Sequence, residues 1–246
     1  MKQSVFITVV LVLALIISFV IFEYMMPQYI KDGGYLVIGL IAMTIMVVTF
    51  VFERMFSLRK AQGRGSLAVF LKNVTQEINR GNIDAAISSC DKQRGSCANI
   101  LRTGLERYKM LVQEGDIKGQ KEMMAEVQRA IEEAMMLEVP LLEKNLVALS
   151  TIATISVLWG LLGTVLGMIR AFQAMARAGS PDAVQLALGI SEALVNTAGG
   201  LIGAITGILA YNFFTTKVDN FTYMIDEASY SIVQSLAEKF PGGKSK

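Results

Sequence analysis

Histidine is missing from this 246-residue chain, which removes the commonest metal ligand and the usual proton shuttle near neutral pH. Any proton traffic must run through carboxylates, hydroxyls and water. Charge is sparse. Asp, Glu, Lys and Arg make up 18% of the residues with a net of +2, and no basic tract interleaved with aromatics points to nucleic acid. Cysteine is limited to Cys90 and Cys97 in a polar stretch; the spacing fits neither a CxxC redox pair nor a zinc knuckle and reads as two reduced thiols. No nucleophile–base set, metal cluster or phosphate loop occurs, so neither an enzyme nor a resident cofactor or metal is expected. Strand-type alternation of useful length is also lacking, which leaves an all-α class.

What the chain has in abundance is apolar sequence. It is 53% hydrophobic with a mean hydropathy of +0.48, well on the membrane side of ordinary usage. Four runs approach or exceed the length a bilayer demands: residues 5–22, 35–52, 146–169 and 189–214. The first is long for a signal h-region, and "SFVIFEYMM" offers no small-residue cleavage site, so it reads as a retained span. Pro27, Gly33 and Gly34 mark a turn between the first two. The expected architecture is a polytopic membrane protein with four transmembrane helices, one of them an extra N-terminal span, and a helical insert. Its divisions are residues 1–56, a two-helix membrane region; 57–144, the insert; 145–216, a transmembrane hairpin; and 217–246, a C-terminal helix and tail.

Orientation follows from the flanks. "ERMFSLRKAQGR" ends the second run with Arg54, Arg59, Lys60 and Arg64, whereas the turn before it offers Lys31 offset by Asp32. The positive-inside rule then places both termini and the 57–144 insert in the cytoplasm, with Tyr24, Tyr29 and Tyr35 as an aromatic belt at the outer interface. Cys90 and Cys97 should accordingly label only with membrane-permeant thiol reagents. Within the insert, two short helices are punctuated by Gly81-Asn82, a third covers "ANILRTGLERYKMLVQEG", and a fourth carries Met123, Val127, Ile131 and Met135 as one packing stripe. Pro140 either ends this fourth helix or kinks one that runs on into the third span.

The last two runs form a hairpin through "AGSPDA", where Gly179 ends one helix, Ser180 caps the next and Pro181 fits its first position. Small residues line both arms. Gly160, Gly163 and Gly167 on one arm, and Gly199, Gly203 and Gly207 on the other, allow close helix approach in lipid. Packing alone leaves Glu192 unexplained, because an acid at a membrane-helix centre costs about 2.5–3.5 kcal/mol. Counted from the turn, Thr164 and Thr197 lie level, and Glu192 lies about 7.5 Å further out. Each threonine alone reads as a hydroxyl bonded to its own i−4 carbonyl; the level pair with an acid above it reads as a proton or cation path. Arg170 matches Glu192 in depth. It can pair with that acid, or snorkel to the headgroups and leave Glu192 to water.

"GLLGTVLGMIRAF" followed by "GISEALVNTAGGLIGAITGILAYN" resembles the ExbB/TolQ branch of the MotA/TolQ/ExbB proton-channel family. The resemblance is close over residues 143–219 and looser over the second span and the insert. It implies that Thr164, Thr197 and Glu192 form the proton path, with protons as the transported species. It also implies a homopentamer in the bacterial inner membrane, with a dimer of a single-span ExbD- or TolR-like protein in the central pore. That partner would bring a proton-carrying aspartate, and proton flow would drive work on a TonB-like or Tol–Pal-like periplasmic partner. The extra first span departs from the three-span ExbB pattern and gives the span count of MotA, while Arg170 stands where the motif has no charge. Other classes compete with this one. A transporter would need inverted repeats or broken helices, which are not found, and a purely structural scaffold leaves Glu192 without a role.

Overall fold

The computed structural model describes residues 3–114, 119–177 and 183–238. Every regular element among the described residues is an α-helix: α1 (Gln3–Tyr24), α2 (Gln28–Lys31), α3 (Leu36–Gln62), α4 (Leu67–Asn79), α5 (Ile83–Gln93), α6 (Ser96–Glu114), α7 (Gln120–Glu143), α8 (Leu146–Arg177) and α9 (Ala183–Glu238). Four segments are long and apolar enough to cross a membrane; their apolar runs lie in α1, α3, α8 and α9. The protein is an all-α polytopic membrane protein. Gly179, Ser180 and Pro181, read above as the hairpin turn, lie outside the described residues.

Two compact units are present, one formed by residues 1–54 and 145–214, the other by 55–144 and 215–246. In the first, α1 buries Ala14, Ser18 and Phe22, a spacing of four that gives one face, and Phe6 meets Phe50 of α3 edge-on. Most of its other apolar side chains, such as Leu13, Ile16 and Phe19, stay exposed, as a helix facing lipid requires. Trp159 of α8 donates its indole N–H to the Leu36 carbonyl (3.0 Å). Its ring lies where a Cβ on Gly39 would stand, so α3 and α8 approach closely there. Arg54, counted above as a flanking charge, is 1% exposed; Glu53 accepts from both ends of its guanidinium, at 2.6 and 2.7 Å. Burial of an arginine is tolerated when such a forked partner satisfies it.

In the second unit α4 packs on α5, α5 on α6 and α6 on α7. α6 and α7 run antiparallel: Asn99 bonds Glu138 (2.9 Å), Gly104 faces Ile131, and Arg107 pairs with Glu126 (3.1 Å). The second half of α9 adds a buried stripe of Val218, Phe221, Ile225, Ala228, Ile232 and Leu236. Met123, Val127 and Ile131 of α7 are buried, whereas Met135 is only half-buried. Pro140 lies inside α7. The break comes later, at Asn145, whose φ of 67° takes the chain out of the helix before α8 begins.

The cysteines require a correction. Cys90 and Cys97 are free but buried, 2% and 1% exposed, and burial pushes both thiols up to about 12. Burial disfavours the charged thiolate, which is the reacting form. At pH 7 the native chain should therefore label about a thousandfold more slowly than an exposed cysteine, even with a permeant maleimide. Denaturation in detergent should release two reactive thiols per chain. Exposed Lys72 on α4 is the better topology probe. In a Lys72→Cys chain, labelling by an impermeant reagent in intact cells would reverse the orientation read from the flanks.

Candidate functional site

Why the last two helices pack so closely is visible residue by residue. Gly160 of α8 stands against the Asn196 carbonyl and Gly200, and Gly163 against the Asn196 side chain. Gly167 meets Gly189 and Ala193, and Gly207 meets Ala153. These are antiparallel pairings of small residues, the arrangement by which helices gain van der Waals contact where no hydrophobic force drives them together. Gly200, absent from the expected stripe, is central to it: a Cβ there would lie 2.6 Å from the Ser156 carbonyl oxygen. Gly199 points elsewhere, toward Leu40 of α3, and Gly203 stands between Ser156 and Thr44.

This register brings the acid and the cation together. Arg170 Nη1 donates to Glu192 Oε1; the arginine side chain is 58% exposed and the glutamate 13%. The turn joining α2 to α3 closes over the pair. Gly34 has a φ of +71°, and a Cβ on it would stand 2.9 Å from Glu192 Oε1 and 3.7 Å from the Arg170 guanidinium. Glycine is required there twice over, by backbone conformation and by the carboxylate beside it.

Asn196 is a site residue that the sequence analysis does not include. It is fully buried, and its Nδ2 donates to the Gly33 carbonyl (2.8 Å) and to the Glu192 carbonyl (2.9 Å). Those two acceptors fix the amide orientation, since a flip would set oxygen against oxygen. Its Oδ1 is buried without a hydrogen-bond partner among the described residues. An asparagine one turn after an intramembrane acid is a signal that sequence reading can use, because an amide in an apolar helix demands partners.

Gly163 facing Asn196 places their chain neighbours, Thr164 and Thr197, level along the hairpin. Each hydroxyl donates within its own helix, Thr164 Oγ1 to the Leu161 carbonyl (2.6 Å) and Thr197 Oγ1 to the Ala193 carbonyl (3.2 Å). A hydroxyl that donates in this way keeps acceptor capacity for water or another donor.

The Arg170–Glu192 pair can be weighed by a double-mutant cycle on thermal stability in detergent. Arg170→Ala should destabilise, and adding Glu192→Gln should restore part of the loss, with a coupling of about 1 kcal/mol for a pair exposed at one end. Zero coupling would leave the two side chains independent.

Comparison with known proteins agrees with this picture. The family described as the MotA/TolQ/ExbB proton channel family matches residues 92–227. An ExbB-like biopolymer transport protein from Synechocystis is 33% identical over 184 residues, covering 74% of this chain and 81% of the relative. The Tol-Pal system protein TolQ of Pseudomonas aeruginosa is 29% identical over 178 residues, 72% of this chain and 76% of its own. The biopolymer transport protein ExbB of Salmonella typhimurium is 33% identical over 85 residues, 35% of each chain. The glycine-packed hairpin and its paired acid thus sit in a chain that belongs to the MotA/TolQ/ExbB proton channel family, on its ExbB/TolQ branch.

Proposed function

We propose that the chain is the channel subunit of a proton-driven motor in the bacterial inner membrane, with both termini and the 57–144 insert in the cytoplasm. Five copies surround a dimer of a single-span, ExbD- or TolR-like partner, and the energised complex works on a TonB-like or Tol–Pal-like periplasmic protein. The relatives' roles in biopolymer transport and in a Tol-Pal system support this class. The observation that carries it is a carboxylate, Glu192, kept at an apolar hairpin by a cation, with two level threonines beyond it. Protons would pass Glu192 and be received by water or by the partner's carboxylate beside Thr164 and Thr197. Each elementary charge moved supplies about 2.3 kcal/mol per 100 mV, so disrupting a well-packed periplasmic complex takes several protons.

Two measurements test the reading. A tagged chain should co-purify a small single-span protein, and the reconstituted complex should conduct protons into vesicles. Thr164→Val with Thr197→Val keeps side-chain shape and removes only hydroxyls that bond their own helix, so assembly should survive. Proton flux should fall at least about tenfold, the equivalent of one hydrogen bond lost from the barrier-lowering set. Full flux in the double variant would reduce both residues to packing.

A further inference from the structure

The second unit holds a cleft of about 560 Å³ with three basic side chains in its lining, and the proton reading assigns it nothing. Its base is two turns stitched together. Gln93 Nε2 donates to the Gln62 carbonyl (3.2 Å), and the Arg64 amide donates to the Gln93 carbonyl (2.7 Å). Gly63 and Gly95, with φ of +79° and +99°, press backbone to backbone, so that a Cβ on Gly95 would come within 2.7 Å of the Gly63 nitrogen. The stitch sets the end of α3 against the start of α6. Its consequence is a concentration of positive charge at one place.

Lys60, Arg64 and Arg94 line the cleft, and all three are exposed. No carboxylate pairs with any of them among the described residues, although ion pairs are common elsewhere in this unit. Glu138, the acid in the lining, already accepts from Asn99. Ser96 and Gly95 bring the N-terminus of α6 to the cleft wall. Helix α6 is 19 residues long, and its first amides have no acceptor within the helix. Ser96 is 6% exposed, lines the cleft, and its hydroxyl has no hydrogen-bond partner among the described residues. Three unpaired cations, a helix N-terminus and the unpartnered Ser96 hydroxyl surround a space whose lining carboxylate, Glu138, is already engaged by Asn99.

We propose that this cleft binds a phosphate group, either a phospholipid headgroup or free phosphate. Arginine matches phosphate oxygens with a planar fork, and helix N-termini favour anions through oriented amides. Lys60 lies eight residues past the apolar run 35–52, a sequence position suited to the headgroup region, where each basic residue adds attraction to anionic lipid.

The test uses the whole chain purified in a neutral maltoside detergent at fixed ionic strength. Its apparent Tm is followed while dihexanoyl phosphatidylglycerol, dihexanoyl phosphatidylcholine or inorganic phosphate is added. Binding should raise Tm by about 2–4 °C as the probe passes well above its Kd. The rise should vanish in Arg64→Gln with Arg94→Gln and return in Arg64→Lys with Arg94→Lys. It should persist in Lys72→Gln with Lys121→Gln, which removes equal charge from exposed positions outside the cleft. A rise with phosphatidylglycerol but not with phosphate identifies the lipid headgroup as the source. A rise with phosphate, lost in the same pair, identifies the free anion. If none of the three probes raises Tm, or if both glutamine pairs respond alike, the cleft is not a phosphate site. Should the Arg64, Arg94 glutamine pair fold poorly, Lys60→Gln alone must still shift the titration midpoint, and an unchanged midpoint would overturn the proposal.

Discussion

Valine in place of Gly200 is expected to leave little folded, monodisperse protein. Its Cβ would stand 2.6 Å from the Ser156 carbonyl oxygen and 2.9 Å from the Gly160 Cα. Both neighbours are backbone on the facing helix, so no rotamer change relieves the clash; α8 and α9 would have to separate along the whole glycine seam. Overpacking of this kind costs about 3 kcal/mol, which shifts a folding equilibrium more than a hundredfold and is a large fraction of an ordinary domain's stability. Alanine at neighbouring Gly199 should cost under about 1 kcal/mol, because its Cβ meets the far end of the Leu40 side chain at 3.0 Å, which can turn aside. Apparent Tm and the monodisperse fraction after detergent extraction measure both. If Gly199→Ala proves as damaging as Gly200→Val, the seam has been assigned to the wrong face.

Leucine in place of Asn196 should produce the second large effect. The volume is nearly kept, yet the buried Gly33 carbonyl loses its donor, and an unsatisfied buried acceptor costs about 1–3 kcal/mol. Replacing the amide also frees the Gly33–Gly34 turn from α9, and that turn is what closes over Arg170 and Glu192. Stability should therefore drop by about 2–3 kcal/mol, and the Arg170–Glu192 coupling should shrink in the Asn196→Leu background. Gly34→Ala approaches the same contact from the other side. It strains a left-handed backbone and crowds Glu192 Oε1, so it too should weaken the pair without altering either partner. An Asn196→Leu chain as stable as the parent, with unchanged coupling, would reduce Asn196 to a space-filler.

Helices and spans are legible from residues alone, because apolar runs, Gly-Asn punctuation and four-residue stripes are local properties. The punctuation at Gly81-Asn82 falls between α4 and α5, with the Asn82 side chain accepting from the Ala85 amide as a helix cap. Depth along the hairpin was also within reach, since a helix rises by a constant step and two arms can be counted from one turn. Rotation about each axis was not, because it is set by whichever side chains interlock across the seam. That difference explains why the GxxxG spacing points to Gly199 while Gly200 meets α8. It also explains why depth alone leaves the Arg170–Glu192 pair open, while the packed helices bring the two side chains together. Buried partners escaped for the same reason. Asn196 bonds Gly33, a residue 163 positions away, and Arg54 reads as an exposed flank until its fork with Glu53 is seen. What this sequence determined by itself is which segments are apolar helices and how deep each polar residue lies within them. Only the tertiary structure decided which faces meet, because packing of small residues selects one rotation among many that hydropathy leaves equal.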